Sequence, residues 1–258
     1  MSGKIDEYGT PSWVVLTTED TAAADLFYGE LLGWQRAGVT APGTIPDAHL
    51  LRGRAVGGIS PKTGALRSTW RIYMTVADAE ETAKTVVGAG GKVVHPPMTL
   101  GTAGRFAVFA DHSSAEFAVW QAGKFKGAAA ANEPGALVWS ELITDDVEAS
   151  LAFYEAAFDW TLTAPSQADP LQRREWQVRG RSVAGLLPRP PAMPREIPPY
   201  WDVIFAVTDP AATVETAVRL GGTNLMPPTD IPHGRIAVFA GPAGVVFSVI
   251  APKFAAAH

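Results

Sequence analysis

The sequence predicts an α+β protein made of two similar halves, each containing two βαβββ units. The first observation is an internal repeat, because residues 13–34 align without a gap on residues 139–160 with eight identical positions. The second is that later motifs return in the same order: GGKVVHPP at 90–97 as GGTNLMPP at 221–228, and GRFAVFA at 104–110 as GRIAVFA at 234–240. Solenoid units run roughly 20 to 50 residues, so this longer repeat indicates two homologous domains in tandem.

Within each half, a strand pattern, a helix pattern and three short strand patterns follow one another twice. In the first unit WVVLTTED has the composition of a strand. The next segment, AAADLFYGELLGW, predicts a helix that Gly33 ends. The residues on one face of this helix are Ala24, Phe27, Tyr28, Leu31 and Leu32. WQRAG, AHLLRG and AVGGIS then supply three strand candidates separated by glycine and proline, which completes one unit.

The repeats predict a first domain at residues 8–123, a linker at 124–135 and a second domain at 136–252. Small residues and a Pro-Gly pair in KFKGAAAANEPG are typical of a linker. The proline-rich segment at 188–200 is expected to be a semi-rigid connection that could also frame a cavity.

Composition narrows the classes of function. The chain has 258 residues, 47% of them hydrophobic, and a net charge of -5, so neither nucleic acid nor an anionic membrane is an expected partner. It contains no cysteine, which excludes disulfides and thiolate metal ligands. No window approaches the roughly 18 apolar residues of a membrane span, and the N-terminal residues lack a signal-like apolar stretch. We expect a cytoplasmic monomer or homodimer that binds a small molecule.

The paired βαβββ units, the Phe-Tyr pair in the first helix, the Gly-Gly after the second helix and the FADxxxxxF strand-turn-strand resemble the vicinal oxygen chelate superfamily. This superfamily includes glyoxalase I, bleomycin-resistance proteins and extradiol dioxygenases. The openings GTPSW and GALVW are also similar to actinobacterial two-domain proteins of the glyoxalase-like or hydroxylase type. The resemblance implies tandem glyoxalase-like domains whose four βαβββ modules form curled mixed sheets, or cups, with the helices outside.

In metal-using members of that superfamily the ligands are His, Gln or Glu on the inner face of each cup. The resemblance places the corresponding positions, as pairs from the two domains, at Trp13 and Trp139, Gly58 and Gly185, Arg71 and Asp202, and Ala118 and Ser248. A divalent ion needs about three convergent N or O ligands, and these positions offer one carboxylate. We therefore predict no metal site and no cofactor, with a divalent metal ion bound elsewhere as the alternative.

The candidate binding residues follow from these positions. Trp13 and Trp139 could each offer a stacking wall to a flat ligand, or could fill the core. Glu141 lies two residues after Trp139 and so shares its face of the strand, where the repeat has Val15. A buried carboxylate there would have a raised pKa and could act as a general base or ligand contact, or it could pair with a nearby arginine.

Three further polar residues complete the candidate set. Asp202 could join Glu141 as an acid pair with a catalytic role, or cap the end of a strand. Arg71 could hold an anion of the ligand, or be a solvated charge at a strand end. Ser248, at the last-strand position of the second domain, is a further candidate for ligand contact.

Two main hypotheses about function follow. The first is metal-independent binding or sequestration of a small, hydrophobic, planar molecule in an aromatic-lined cup. The second is a glyoxalase-like enzyme, either a metal-dependent lyase or dioxygenase with ligands at other positions, or a cofactor-free isomerase or hydroxylase that uses Glu141 as its base. A third possibility is a scaffold whose cups are filled by their own side chains. Because Glu141 and Asp202 both lie in the second half, a single working site is expected there.

Overall fold

The structure is a computed structural model that describes residues 8–38, 45–63, 67–166, 169, 171–191 and 193–253. In the first half its elements are β1 (Pro11–Thr18), α1 (Thr21–Leu32), β2 (Gln35–Arg36), β3 (Ala48–Leu51), β4 (Arg54–Pro61), β5 (Thr69–Thr75), α2 (Ala79–Gly88), β6 (Lys92–Leu100), β7 (Gly104–Ala110) and β8 (Glu116–Ala122). In the second half they are β9 (Leu137–Thr144), α3 (Val147–Phe158), β10 (Thr161–Leu162), β11 (Arg174–Val178), β12 (Arg181–Pro188), β13 (Tyr200–Ala206), α4 (Pro210–Arg219), β14 (Thr223–Ile231), β15 (Gly234–Ala240) and β16 (Val246–Pro252).

Each half forms one mixed sheet of eight strands, in the order β2-β3-β4-β1-β5-β8-β7-β6 and β10-β11-β12-β9-β13-β16-β15-β14. β1 pairs with β4 and β5 with β8 in parallel, and the pairs β9 with β12 and β13 with β16 repeat this arrangement in the second half. The outer pairs of each sheet are antiparallel. The two orders are the same when β9 is matched to β1, β10 to β2 and so on up to β16 and β8. This agreement confirms the predicted α+β class and the four βαβββ modules.

An aspartate precedes each helix and caps its N-terminus. The carboxylates of Asp20, Asp78, Asp146 and Asp209 accept hydrogen bonds from the first-turn amides of α1, α2, α3 and α4. Such a cap satisfies amide groups that have no partner within the helix. In α1 the cap is Asp20, whose carboxylate accepts from the amide of Ala23. Gly33 ends α1 in the left-handed conformation (φ 76°), as predicted.

The chain divides into two compact units that do not follow the sequence halves. One unit contains Arg71–Gly127 and Trp139–Asp202 together with the residues up to Trp13, and the other contains Val14–Trp70, Ala128–Val138 and the chain from Val203 onward. Each unit therefore combines one βαβββ module from the first half with one from the second. The predicted linker at 124–135 contains no helix or strand.

An aromatic cluster forms the core of each unit. In the compact unit that contains Trp139–Asp202, the ring of Tyr154 in α3 lies between the indoles of Trp160, Trp176 and Trp201, with its centroid 5.3 to 5.6 Å from theirs. In the other compact unit, the ring of Tyr28 in α1 packs against Trp70 and Phe247, with ring centroids 5.2 and 5.4 Å apart. The Phe-Tyr pair of the repeated helix therefore supplies a core residue, which its apolar spacing predicted.

The four helices of the described residues are short, and none is long and apolar enough to cross a membrane.

Candidate functional site

The side chains of β9 and β13 divide between two faces, one against α3 and one away from it. The hydroxyls of Thr144 and Ser150 lie 2.9 Å apart, so Thr144 and its alternate neighbours on β9 face α3. The indole of Trp201 donates to the hydroxyl of Tyr154, also on α3, at 2.8 Å. The face away from α3 therefore carries Trp139 and Glu141 of β9 and Tyr200 and Asp202 of β13.

Gly185 of β12 leaves the space that Trp139 and Glu141 occupy. It lies directly opposite Glu141 in the parallel ladder between β12 and β9. A Cβ atom on Gly185 would lie 2.9 Å from both Glu141 Oε1 and Trp139 Nε1, closer than real Cβ contacts allow. The absence of a side chain at residue 185 thus brings a carboxylate and an indole together on this face, as their two-residue spacing predicted.

Glu141 is a buried acid with a strongly shifted pKa. Its residue is 8% exposed, and burial raises the pKa of the carboxyl from 4.5 to about 7, against the opposing effect of the Arg173 charge. Arg173 Nε lies 3.6 Å from Glu141 Oε1, too far for a hydrogen bond, and the same guanidinium lies 3.9 Å from Asp169. The arginine therefore only partly offsets burial, and the carboxyl is poised near neutral pH.

Asp202 and Tyr200 extend the same face. Asp202 is the third residue of β13 and 4% exposed, so the alternative interpretation as a cap at the strand end is wrong. Burial, followed by the negative charges of Asp202 and Glu141, raises the pKa of Tyr200, whereas Arg189 opposes the shift. Glu141 and Asp202, the two predicted catalytic residues, thus lie on the same face as Tyr200, and both charges act on its hydroxyl.

Exposure distinguishes Trp139 from its repeat counterpart Trp13. Trp139 is partly exposed, whereas Trp13 is 2% exposed and packs edge to face against Phe125 with ring centroids 4.9 Å apart. Phe125 comes from the segment between the halves, and its ring also contacts Trp120. The packing around Trp13 supports the core-filling interpretation for the first half, and Trp139 has the exposure that a ligand-facing wall requires.

Arg71 occupies a position equivalent to Asp202, but it is engaged by the protein itself. Its side chain is 1% exposed, and its guanidinium donates to the carboxylate of Glu116, which is also buried, with the Nε to Oε2 distance at 2.9 Å. The interpretation of Arg71 as a solvated charge at a strand end is therefore wrong. Its anion is Glu116, at the start of β8.

Ser248 belongs to the compact unit that does not contain Glu141 and Asp202. It lies on β16, is 1% exposed, and is paired in register with Ile204 of β13 and Val238 of β15. As a ligand contact it remains a prediction.

The residues at the positions of the family's metal ligands do not suit a divalent ion. In the sheets, Gly58 pairs with Val15 and Gly185 with Glu141, while Ala118 pairs with Tyr73 and Ser248 with Ile204, so each partner lies two residues after the mapped residue of its strand. The mapped side chains still include one carboxylate, that of Asp202. Among the residues that the structure describes, no three His, Asp or Glu side chains converge to hold an ion. The donor set at these positions therefore does not fit the divalent metal ion of the metal-using superfamily members that the sequence resembles.

Sequence reasoning missed Arg173, Asp169, Tyr200 and the role of Gly185. Arg173 and Asp169 approach Glu141 from the irregular segment before β11, which carries no repeated pattern. Tyr200 could have been found, because it lies two residues before Asp202 on a predicted strand and must share its face.

Comparisons with known proteins agree with this architecture. A sequence model of the Glyoxalase/Bleomycin resistance protein/Dioxygenase superfamily matches residues 10–119 and 136–249. The chain is 38% identical over 258 residues to "Putative glyoxylase CFP32" of Mycobacterium tuberculosis, covering 96% of this chain and 98% of that protein. It is 35% identical over 265 residues to "Anthracycline biosynthesis protein DauV" of Streptomyces sp. strain C5, covering 94% and 93%.

Solved structures share the fold at low sequence identity. The Mn(II)-bound glyoxalase from Novosphingobium aromaticivorans aligns with a TM-score of 0.62 at 15% identity, over 95% of this chain and 82% of that one. The 2,3-dioxygenase LapB from Pseudomonas sp. KL28 aligns with a TM-score of 0.60 at 13% identity, over 96% and 94%. At these identities the likeness concerns the fold alone.

Proposed function

Because the chain belongs to the glyoxalase/bleomycin resistance protein/dioxygenase superfamily, we propose that it binds a small, hydrophobic, planar molecule against Trp139 without using a metal. The observation that carries this proposal is the pairing of a partly exposed indole with a buried carboxyl group in the space left by Gly185. Aromatic walls with a few convergent polar groups are typical of small-molecule sites.

The polar groups of the face suit a ligand that carries oxygen atoms. Below a pH of about 7 the carboxyl of Glu141 is largely protonated and can donate a hydrogen bond to a carbonyl or quinone oxygen. The raised pKa of Tyr200 keeps its hydroxyl protonated as a second potential donor. A relative at 35% identity is named for anthracycline biosynthesis, and anthracyclines contain a planar fused-ring system with such oxygens, which supports this class of ligand.

The packing of the first half supports one binding site in the protein rather than two. Trp13, at the repeat-equivalent position, is packed against Phe125. Arg71 is held by Glu116. Both observations favour binding by the second half alone.

The proposal is tested by isothermal titration calorimetry with 1,4-dihydroxyanthraquinone. Removing a stacked wall should weaken affinity by on the order of 2 kcal/mol, so Trp139→Ala should bind at least tenfold more weakly than wild type. Tyr8→Ala is the matched control, because Tyr8 is 58% exposed and should contribute nothing. Calorimetry is preferred to fluorescence quenching because the chain has eight tryptophans. Unchanged affinity in Trp139→Ala would contradict the proposal.

The second candidate function is a cofactor-free isomerase or hydroxylase in which Glu141 is the base and Asp202 assists. The observation that favours it is the pKa of about 7 for Glu141, since a general base works best when its pKa lies near the working pH. Conversion of a bound planar substrate by wild type but not by Glu141→Gln, with folding intact, would support catalysis. A metal-dependent lyase or dioxygenase would need ligands at positions other than those the family uses.

A further inference from the structure

The turn before the last strand of each half differs between the two copies at one decisive residue. Asp111, between β7 and β8, corresponds to Gly241, between β15 and β16. A cavity of about 100 Å³ lies beside Gly241, with walls from β1, α1 and the turn, all of which belong to one compact unit. One water needs roughly 10–15 Å³, so the cavity has room for a molecule of several heavy atoms.

Asp111 shows what this turn binds when a carboxylate is present. Its Oδ1 accepts hydrogen bonds from the amides of Ser113 and Ala115 at 2.8 and 2.9 Å, and from the hydroxyl of Ser113 at 2.7 Å. Its Oδ2 accepts from the hydroxyl of Tyr154 at 3.1 Å. Asp111 is 1% exposed. The turn and the helix tyrosine together therefore provide the donors that a buried carboxylate needs.

The turn of the second half keeps the same backbone geometry. The amide of Gly241 donates to the carbonyl of Val245 at 2.9 Å, as the amide of Asp111 donates to the carbonyl of Ala115 at 3.0 Å. The residue before each acceptor is left-handed, with φ of 71° and 74° respectively. The amides of Ala243 and Val245 therefore have the orientation of those that bind Asp111, and consecutive amides of a turn form an anion-binding concavity.

Three donors around the cavity are available to a ligand. Tyr28 is 1% exposed, and its hydroxyl accepts from the indole of Trp70 at 3.2 Å. Within the part of the chain that the structure describes, no group accepts the proton of this hydroxyl or the amide protons of Ala243 and Val245. A Cβ on Gly241 would lie 3.2 Å from the Tyr28 hydroxyl, so this oxygen borders the cavity. An acceptor bound there would satisfy a buried donor.

We propose that this cavity is a binding site for a small carboxylate of about the size of acetate. One carboxylate oxygen accepts from the amides of Ala243 and Val245, and the other accepts from the hydroxyl of Tyr28, as the two oxygens of Asp111 do in the other copy. The apolar side chains of Leu16 and Ala24 also line the cavity and suit a methyl group. The site does not rest on the proposed function, because its residues and Trp139 belong to different compact units.

The negative charge that lines the cavity is compatible with this ligand. Asp20 is exposed, and its carboxylate accepts from the amide of Ala23 at 2.9 Å, so solvent screens its repulsion. Asp146, its counterpart in the other copy, caps α3 in the same way. That copy nevertheless holds the buried carboxylate of Asp111, so an aspartate cap and a carboxylate in the turn occur together.

The test compares the melting temperature, Tm, in acetate with that in acetamide, near neutral pH and at constant ionic strength. Acetamide has the same shape but no charge and only one acceptor oxygen. Acetate at about five times its dissociation constant should raise the Tm of wild type by about 2–4 °C, and acetamide should not. Tyr28→Phe should lose this shift. Tyr154→Phe is the matched control and should keep it, because it removes the same hydroxyl from the copy that contains Asp111.

Gly241→Asp provides a second variant whose result does not depend on the folding of Tyr28→Phe. It supplies the carboxylate covalently, and the Tyr28 hydroxyl beside the cavity can shift by the few tenths of an ångström that the new Cβ requires. We expect a higher Tm than wild type without acetate and no further rise with it. Saturation transfer by NMR from the protein to the methyl protons of acetate should occur in wild type and disappear in Gly241→Asp.

Three outcomes would overturn the site. They are equal Tm shifts of wild type in acetate and acetamide, the same acetate shift in wild type and Tyr28→Phe, and saturation transfer that persists in Gly241→Asp. None of them bears on binding of a planar ligand at Trp139, which is measured separately.

Discussion

Glu141 shows how burial and one missing side chain create a reactive group. Its neighbours on the strand, Ser140 and Leu142, face the helix side, and the glycine at 185 gives its carboxyl a place on the opposite face. The nearest cation, on Arg173, is 3.6 Å away, so the cost of desolvation exceeds the gain from the ion pair. The result is a carboxyl group that changes charge within the physiological pH range.

This titration predicts a pH-dependent stability. The folded protein holds the Glu141 proton more tightly than the unfolded chain, because its pKa is about 7 rather than 4.5. Its contribution to stability is therefore fully present below pH 4.5 and is lost as pH rises to about 7. Relative to Glu141→Gln, wild type should lose about 3 kcal/mol of unfolding free energy across this range. Urea denaturation of both proteins as a function of pH measures it, and parallel curves would contradict the assignment.

Gly185 offers a second test at the residue scale. In Gly185→Ala the new methyl group must displace the Glu141 carboxyl and the Trp139 indole, both 2.9 Å away, so we expect a loss of about 1–3 kcal/mol in stability. Weaker binding of 1,4-dihydroxyanthraquinone should accompany it. Gly88→Ala is the control, because a Cβ on Gly88 meets nothing within 4 Å and should be neutral or slightly stabilising. Equal effects of the two substitutions on thermal unfolding and binding would refute the packing argument.

At the scale of elements, the first helices of the two halves, α1 and α3, can be compared directly because they are copies of one repeat. The hydroxyl of Tyr154 in α3 accepts from Trp201 and donates to Asp111 at 3.1 Å. The equivalent Tyr28 in α1 accepts from Trp70 at 3.2 Å, but the residue that corresponds to Asp111 is Gly241. A cavity of about 100 Å³ lined by Tyr28 and Gly241 lies where an aspartate would otherwise be.

The two tyrosines should therefore respond differently to loss of the hydroxyl. Tyr154→Phe leaves both a buried indole and a carboxylate oxygen without their partner, whereas Tyr28→Phe affects an indole alone. We expect Tyr154→Phe to be the more destabilising by about 1–3 kcal/mol, the usual penalty for an unsatisfied buried polar group. Chemical denaturation of the two variants provides the comparison. Equal losses would show that the Asp111 contact contributes little.

The elements were largely predictable because their signals are local and occur twice. Composition and the punctuation by glycine and proline identified the strands, and the Phe-Tyr face and Gly33 identified α1. The carboxyl of Glu141 beside Trp139 followed from a two-residue spacing alone. The contrast between Trp13 and Trp139 did not, since it depends on Phe125 packing onto the first indole from the segment between the halves. The Arg71–Glu116 pair joins residues 45 positions apart and likewise has no local signal.

At the scale of the molecule, sheets and compact units divide the chain differently. Each sheet belongs to one half of the sequence, whereas each unit combines modules from both halves. Trp13 and Trp139 consequently belong to the same compact unit although they come from different repeats. Trp13 lies in the core and Trp139 is partly exposed. This difference is expected when only one copy of the repeat has the binding role.

This division predicts opposite phenotypes for the two tryptophans. Trp13→Ala should destabilise the protein by about 3–5 kcal/mol, because it removes a large buried side chain, and at low temperature the folded fraction should still bind the anthraquinone. Trp139→Ala should change stability much less and affinity much more. Thermal unfolding and calorimetry on the same two preparations make the comparison. A loss of affinity in Trp13→Ala that its folded fraction does not explain would place the first half in the site.

The central claim is that the second half binds a planar ligand without a metal, and the most direct measurement is the affinity of protein dialysed against EDTA for 1,4-dihydroxyanthraquinone. We predict the same dissociation constant before dialysis, after it, and after Mn²⁺ is added back, because the donor set around Glu141 and Asp202 does not suit a divalent ion. Binding that disappears with EDTA and returns with Mn²⁺ would contradict the account and make metal-dependent chemistry the function to pursue.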